Sequence, residues 1–317
     1  MRPFLLIAMS KKQLLFIALL FATVSVKSQA DPIDWILNPR QTKQIAKGVS
    51  WTQIAFTDRK LFDTSQYLNV IEITKKAKRY RLHIVRSDSL EKTSQIAQTH
   101  HALAGINASF FKMRGPDPDN RKDLNGVPKL EPSNIGRNRS VVYFRQNDSL
   151  ITENIRDKDS TRKRNQAGSI VINKGKLQIV KDDHNNLNAE HQLKGEDVIS
   201  TGPVMILNGI DQQIPNDAFC NDRHPRTAIG KKADGTIVLF VVDGRAKESA
   251  GFSIPELQQV MRMLGCVDAI NLDGGGSTTM YIRDQPFNGV VNYPSDNKKW
   301  DHEGEREVAN AILLIKK

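Results

Sequence analysis

The chain has 317 residues, 39% of them hydrophobic and 26% charged, with a formal net charge of +11. That composition supplies a full apolar core and excludes a disordered or fibrous chain. The basic excess favours acidic partners such as phosphates or anionic glycans, while 6% aromatics argues against nucleic acid.

The N-terminus reads as an export signal. Lys11 and Lys12 precede an apolar run at residues 14–26, and Ser28-Gln29-Ala30 places small residues before a cleavage point after Ala30. The run is too short and wrongly flanked for a stable membrane span. Met9 is an alternative start. Cleavage removes Arg2, Lys11, Lys12 and Lys27 and no acid, taking +11 to +7. The mature protein is therefore expected to be exported, periplasmic or secreted, with no stable membrane insertion. Two cysteines are present, Cys220 and Cys266. In an oxidising compartment they either pair or remain two buried thiols, and sequence alone does not decide.

Residues 31–79 read as a strand-rich N-terminal extension packed on a main domain at 80–317. Strands are predicted at 68–73 and 80–85, joined as a hairpin through the basic turn 75–79. Residues 88–103 read as a helix, with Asp88 and Glu91 at capping-box spacing. His100 and His101 fall at its end, where adjacent side chains diverge and make a poor metal pair. The segment AGINASFF (104–111) is a short strand followed by two aromatics. Its Asn107 suits a sugar hydroxyl and Phe110 or Phe111 a sugar ring, or the segment is an ordinary buried strand end. Residues 112–139 are rich in breakers and read as a long loop. A strand follows at 140–144, an exposed connection at 153–166, and a hairpin at 169–172 and 177–180 through Asn173-Lys174-Gly175.

From residue 197 strands come densely. Residues 204–207 follow Thr201-Gly202-Pro203, and 236–242 form a β-branched strand that delivers Asp243-Gly244-Arg245. Ser253 and Glu256 make a capping box for a helix whose Leu257, Val260, Met261 and Leu264 share a face and whose stop is Gly265. Its exit feeds VDAINLDGGGSTTM (267–280). Here an apolar strand ends in Asp273, and Gly274, Gly275 and Gly276 let the backbone turn sharply and a ligand approach. Successive amides in such a turn can form an anion nest, with Ser277, Thr278 and Thr279 adding hydroxyls. The same stretch also reads as a tight turn with no ligand. A terminal strand spans 308–315.

Two strands thus end alike, in Asp243-Gly244 and Asp273-Gly274. Were they neighbours, two carboxyls and Arg245 would converge, one to act as acid and the other as base or nucleophile, the general plan of glycoside hydrolysis. Otherwise each acid caps its own turn.

AGINASFF, TGPVMILNG (201–209), RHPRTAIG (223–230), TIVLFVVDGR (236–245), GFSIPEL (251–257), AINLDGGGSTTM (269–280) and the tail 292–310 occur in the same order in one family. The chain resembles the phosphodiester glycosidases over roughly residues 80–317. The resemblance implies a hydrolase that cuts a sugar from a sugar-1-phosphodiester. It also implies an α+β fold, with a mixed β-sheet core, a few flanking helices and long loops in a single mature domain. Asn107, Arg226, Thr227, Asp243, Asp273, Gly274, Gly275, Gly276, Ser277 and Arg306 fall on motif positions. Arg245, Ser109 and Glu305 stand where relatives carry other residues. The resemblance supports the site without assigning roles within it; the mechanism we expect makes Asp273 the nucleophile or base and Asp243 its partner, as second carboxyl or orienting group. Arg226 and the amides after Asp273 hold phosphate, assisted by Ser277 or Thr278, and Asn107 binds a sugar hydroxyl. No cofactor is required by the sequence. A divalent cation shared by Asp243 and Asp273 stays open, and no His/Cys cluster has zinc spacing. The partner expected is a carbohydrate phosphodiester or anionic glycan. The rival readings are a non-catalytic glycan-binding surface protein and a metal-dependent phosphodiesterase.

Overall fold

In a computed structural model of the chain, residues 41–113, 138–155, 162–182, 186 and 188–317 are described, without the side chains of 58–60. The expected signal (1–30) and most of the expected loop at 112–139 lie outside the described residues. Three antiparallel sheets carry the fold. The largest has eight strands: β1 (Gln41–Ala46), β2 (Val49–Leu61), β3 (Thr64–Ile73), β11 (Val204–Leu207), β12 (Ile210–Asp211), β13 (Arg226–Lys232), β14 (Ile237–Val242) and β15 (Cys266–Asn271). Their spatial order is β1-β2-β3-β14-β13-β15-β11-β12. A four-stranded sheet holds β16 (Met280–Ile282), β5 (Ala104–Asn107), β17 (Glu307–Lys316) and β4 (Tyr80–Lys92), in that order. A five-stranded sheet runs β7 (Ser149–Thr152), β6 (Phe144–Gln146), β10 (Asp197–Thr201), β8 (Gly168–Asn173), β9 (Lys176–Lys181). Among the described residues there are three α-helices, α1 (Thr93–Thr99), α2 (Ala218–Asn221) and α3 (Ile254–Met263), and none is long and apolar enough to cross a membrane.

β14 shows why the large sheet forms. Its sequence IVLFVV is β-branched and apolar throughout, and all six residues are buried. Successive side chains alternate between faces. Ile237, Leu239 and Val241 join the core that the three sheets share, with Ile84, Ile106, Ile170 and Ile312. Val238, Phe240 and Val242 join a second core under α3, with Leu257, Val260 and Met261. A fully buried side chain of this size contributes roughly 1.5–3 kcal/mol, so this one strand anchors both layers. α3 begins as predicted: the Ser253 hydroxyl accepts from the Glu256 amide and Glu256 accepts from the Ser253 amide. The predicted β8–β9 hairpin also forms.

Elsewhere the local reading gives way to tertiary pairing. The expected helix at 88–103 is half strand: β4 continues to Lys92 because β17 pairs with it as far as Glu307↔Lys92. Only then does α1 start, where Gln95 Oε1 accepts from the Lys92 amide at 3.2 Å, and Asp88 and Glu91 stay within the strand. The expected hairpin of 68–73 with 80–85 does not form either. β3 pairs with β2 and β14, while β4 pairs with β17 in another sheet, so residues 75–79 carry the chain between sheets. The strand expected at 140–144 is displaced to β6. Among the described residues every strand pairing is antiparallel where a mixed sheet is expected, because β13 inserts between β14 and β15 and separates the one pair that α3 connects. Through β3, the segment read as an N-terminal extension is hydrogen-bonded into the largest sheet.

Candidate active site

Since β13 is antiparallel to both flanking strands, β14 and β15 run parallel and end at one edge of the sheet. At roughly 4.8 Å per strand spacing their backbones stand about 10 Å apart. Asp243 follows β14 directly and Asp273 follows β15 by two residues. The start of β13, Arg226-Thr227, lies between them. The two strands are not direct neighbours, yet the edge still brings both acids, Arg226 and the glycine turn together.

The acids differ in setting. Asp243 is fully buried. One of its oxygens accepts from Asn292 Nδ2 at 2.8 Å and from the Tyr293 amide at 3.0 Å, and Oδ2 has no hydrogen-bond partner. Burial raises its pKa to about 7 against the pull of those two donors. Asp273 is half-buried. Burial raises its pKa to about 6, opposed by the Ser277 hydroxyl, the Arg306 guanidinium and the Gly274 amide, which donates to Oδ1 at 3.0 Å. Both carboxyls therefore titrate near neutrality, the range in which a carboxyl can move a proton.

The glycine turn is built differently from the expectation. Its amides are largely consumed: Gly274 donates to Asp273, Gly275 to the Pro225 carbonyl, Ser277 to Gly274 and Thr278 to Gly275. An amide nest is thus mostly closed. Positive charge arrives from side chains. A Cβ on Gly275, whose φ is +62°, would lie 3.0 Å from the Arg245 guanidinium, and one on Gly276 would collide with Arg306 and Asp296. The glycines let two arginines lie against the main chain. Arg306 pairs with Asp296 through Nε at 2.9 Å. Next to this turn Thr278 Oγ1 and Thr279 Oγ1 are buried without a hydrogen-bond partner, while the Ser277 hydroxyl faces the Asp273 carboxyl. Buried polar groups are rarely left so. Asp243 Oδ2 is a third buried oxygen without a partner at this edge.

Three expected ligand-binding residues prove to be braces. Asn107 is buried; its oxygen accepts from Thr227 Oγ1 at 2.8 Å and the Thr279 amide at 3.1 Å, and its nitrogen donates to the Asp273 carbonyl at 2.7 Å. It ties β5, β13 and the glycine turn together, and Thr227 serves the same knot. Arg226 is 1% exposed. Its Nε donates to the Phe252 carbonyl at 2.8 Å and its Nη2 to the carbonyls of Phe219 and Asp222. Burial lowers its pKa to about 10. The guanidiniums that lie against the glycine turn are instead those of Arg245 and Arg306.

Glu305 turns away from the site: its carboxylate accepts from the Ser94 amide and hydroxyl and so caps α1. Cys220 and Cys266 are both free and buried, and burial raises their thiols to about 11 and about 12. Among the described residues no three His, Cys, Asp or Glu side chains gather into a metal-ligating group.

The sequence left several participants unassigned. Asn292 links Asp243 to the Thr278 carbonyl and accepts from the Met280 amide. Tyr293 stacks on Trp300 with centroids 4.1 Å apart, and Tyr67 meets both edge-on. His224, its Nδ1 buried and unpartnered, has its pKa lowered by burial and then by Arg226 and Arg245. Arg245, Arg306, Tyr293 and Trp300 line a cavity of about 470 Å³ with Lys247 and Lys299 at the same opening. The signal for them was weak: one asparagine and scattered aromatics in a charged loop follow no period.

Comparison with known proteins bears on family and fold. The sequence profile of the phosphodiester glycosidase family matches residues 100–315. Two relatives are N-acetylglucosamine-1-phosphodiester alpha-N-acetylglucosaminidases. That of Mus musculus is 40% identical over 80 residues, 25% of this chain and 14% of that protein. That of Homo sapiens is 41% identical over 80 residues, with the same coverage. An uncharacterized SPbeta prophage-derived protein of Bacillus subtilis, YomE, is 33% identical over 98 residues, 27% of this chain and 15% of that protein. The matches thus span about a seventh of these relatives' own lengths. In fold the chain is similar to the zebrafish enzyme's catalytic domain, with a TM-score of 0.58 at 16% identity over 87% of this chain and 88% of that one. It is also similar to a hypothetical protein from Synechocystis, with a TM-score of 0.52 at 16% identity over 87% of this chain and 64% of that one. The chain belongs to the phosphodiester glycosidase family.

Proposed function

We propose that this protein is an exported hydrolase that cleaves the glycosidic bond of a sugar-1-phosphodiester, releasing free sugar and a phosphomonoester. The observation that carries this reading is the meeting, at one sheet edge, of two carboxyls that titrate near neutrality with a glycine turn framed by two arginines. Export rests on the N-terminal sequence.

The scissile bond joins an anomeric carbon to a phosphate oxygen. When it breaks, the electron pair goes to that oxygen, and the phosphate tolerates the charge without strong protonation. The harder tasks are steadying positive charge at the carbon and holding the anion. Asp273, ionised above about pH 6, acts on the carbon as nucleophile or draws the proton from an attacking water. Arg245 and Arg306 take the phosphate, for which the planar guanidinium fork is suited. Arg306 then exchanges its Asp296 partner for substrate. Asp243, protonated over part of the neutral range, donates a proton or orients substrate through its unpartnered oxygen. Ser277 and Thr278 supply hydroxyls, and Asn107 keeps the turn in register with β5 and β13.

The names of the mammalian relatives set the first substrate to try, a 1-phosphodiester of α-N-acetylglucosamine. A panel of sugar-1-phosphodiesters assayed for reducing sugar tests the proposal. Free sugar is the expected product. Accumulation of a sugar 1-phosphate, or binding with no product on prolonged incubation, contradicts it.

A further inference from the structure

The far end of the eight-stranded sheet carries a second, chemically distinct surface. β13 leaves the active-site edge at Arg226 and reaches Lys231 five residues later, about 17 Å away at roughly 3.3 Å per residue. Three connections converge there: the β8–β9 turn, the β13–β14 turn and the passage from β3 to β4. Two adjoining cavities of about 730 and 470 Å³ open between them and share Lys174, Lys176, Leu177 and Lys231. Lys181 and Lys194 also line the first, and Lys75, Lys78, Arg81 and Lys317 the second.

This gathering of charge is not neutralised by the fold. Among the described residues Asp268 is the one acidic side chain lining the cavities, in the first of them, and it is occupied: Oδ2 pairs with Lys231 at 2.9 Å and Oδ1 accepts the Asn208 amide at 2.8 Å. Glu196, just outside, accepts from the Lys174 amide at 3.3 Å. Among the described residues Lys78, Lys174, Lys176 and Lys194 meet no carboxylate within ion-pair distance. Arg81 Nε is buried without a hydrogen-bond partner beside the β8–β9 turn. Like charges held together repel and raise the local affinity for anions. A single small anion engages one or two cations. A row of lysines through two connected cavities matches an anion whose charges repeat along a chain.

We propose that this double groove binds a linear anionic polysaccharide independently of the catalytic edge. The lining favours a glycan over nucleic acid. Asn173, Gln178 and Asn208 offer amides for sugar hydroxyls, and among the described residues Tyr80 is the one aromatic lining it, whereas single-stranded nucleic acid calls for several stacking platforms. The inference rests on charge and cavity shape at the far end, so it stands or falls without reference to turnover.

The test is affinity electrophoresis of the full chain through gels containing polygalacturonate or heparin, with poly(dT) as the nucleic-acid probe. Wild type should be retarded by at least one of the two polysaccharides, with retardation weakening steeply as salt rises. The combined variant Lys174→Glu, Lys176→Glu, Lys194→Glu should lose at least tenfold in affinity. The charge-neutral pair Lys174→Gln, Lys176→Gln should fall in between, which guards against a folding defect in the triple variant. Arg245→Ala, at the catalytic edge, should bind as wild type does. The proposal is overturned by no retardation of wild type in either polysaccharide, by unchanged affinity in the lysine variants, by loss of binding in Arg245→Ala, or by tighter binding to poly(dT).

Discussion

The two ends of one sheet carry charge in opposite ways. At the catalytic edge Asp243 and Asp273 are held where burial raises their pKa values, beside hydroxyls with no partner. At the far end lysines stand exposed on turns, and among the described residues Asp268 is the one acidic side chain lining the cavities. The first arrangement is costly and specific, because desolvated charge must be braced from every side. The second is cheap, since exposed lysines keep their hydration and the fold loses little by carrying them. A strained, braced edge suits chemistry; a hydrated, repetitive one suits attachment.

Changes at the braced edge should act through geometry and desolvation. Asp273→Asn has the largest expected effect. Sugar release should fall by on the order of a thousandfold, with the circular dichroism spectrum unchanged; near-normal turnover would remove Asp273 from the chemistry. Asn107→Ala should come next, because it leaves the Thr279 amide buried and unpaired at a cost of roughly 1–3 kcal/mol. Chemical denaturation should show that loss, and kcat should fall about a hundredfold as the turn shifts. Arg245→Ala and Arg306→Ala should each raise KM about tenfold with a smaller change in kcat, as expected for a charged contact to phosphate. An unchanged KM in both would return the phosphate to other donors.

A further prediction concerns pH. Asp243 binds its proton more tightly folded, at about 7, than at its ordinary 3.8. Its contribution is therefore fully present below 3.8 and is lost as pH rises through about 7. Asp243→Asn keeps an oxygen for Asn292 and Tyr293 but cannot ionise. Relative to wild type, its melting temperature should be several degrees higher at pH 8 than at pH 5. No difference between the two pH values would mean that the carboxyl is not desolvated. The smallest effect is expected at Glu305→Ala. Loss of the α1 cap should cost about 1 kcal/mol and leave turnover intact, setting a helix cap apart from the neighbouring Arg306.

Much of this edge was legible in sequence because it depends on local chemistry. An apolar strand ending in Asp-Gly marks a delivered carboxyl, and Ser253 with Glu256 marks the helix between the two. The strand between the acids was not legible, since antiparallel insertion of β13 leaves no trace in the period of β14 or β15. β4 shows the same limit: Asp88 and Glu91 have capping-box spacing, yet nine residue pairs with β17 outweigh one local cap. Arg226 misled for another reason. Its motif position marks an important side chain, but only the structure shows that its donors face the carbonyls of Phe219, Asp222 and Phe252 rather than open space. Asn292 could not be found at all, because a buried asparagine in a loop looks like any polar loop residue.

The central claim is that the glycosidic C–O bond breaks, with the phosphate leaving intact. Hydrolysis of a sugar-1-phosphodiester in oxygen-18 water tests it directly. The account predicts label in the released sugar and none in the phosphomonoester. Label in the phosphate would show P–O cleavage and contradict it.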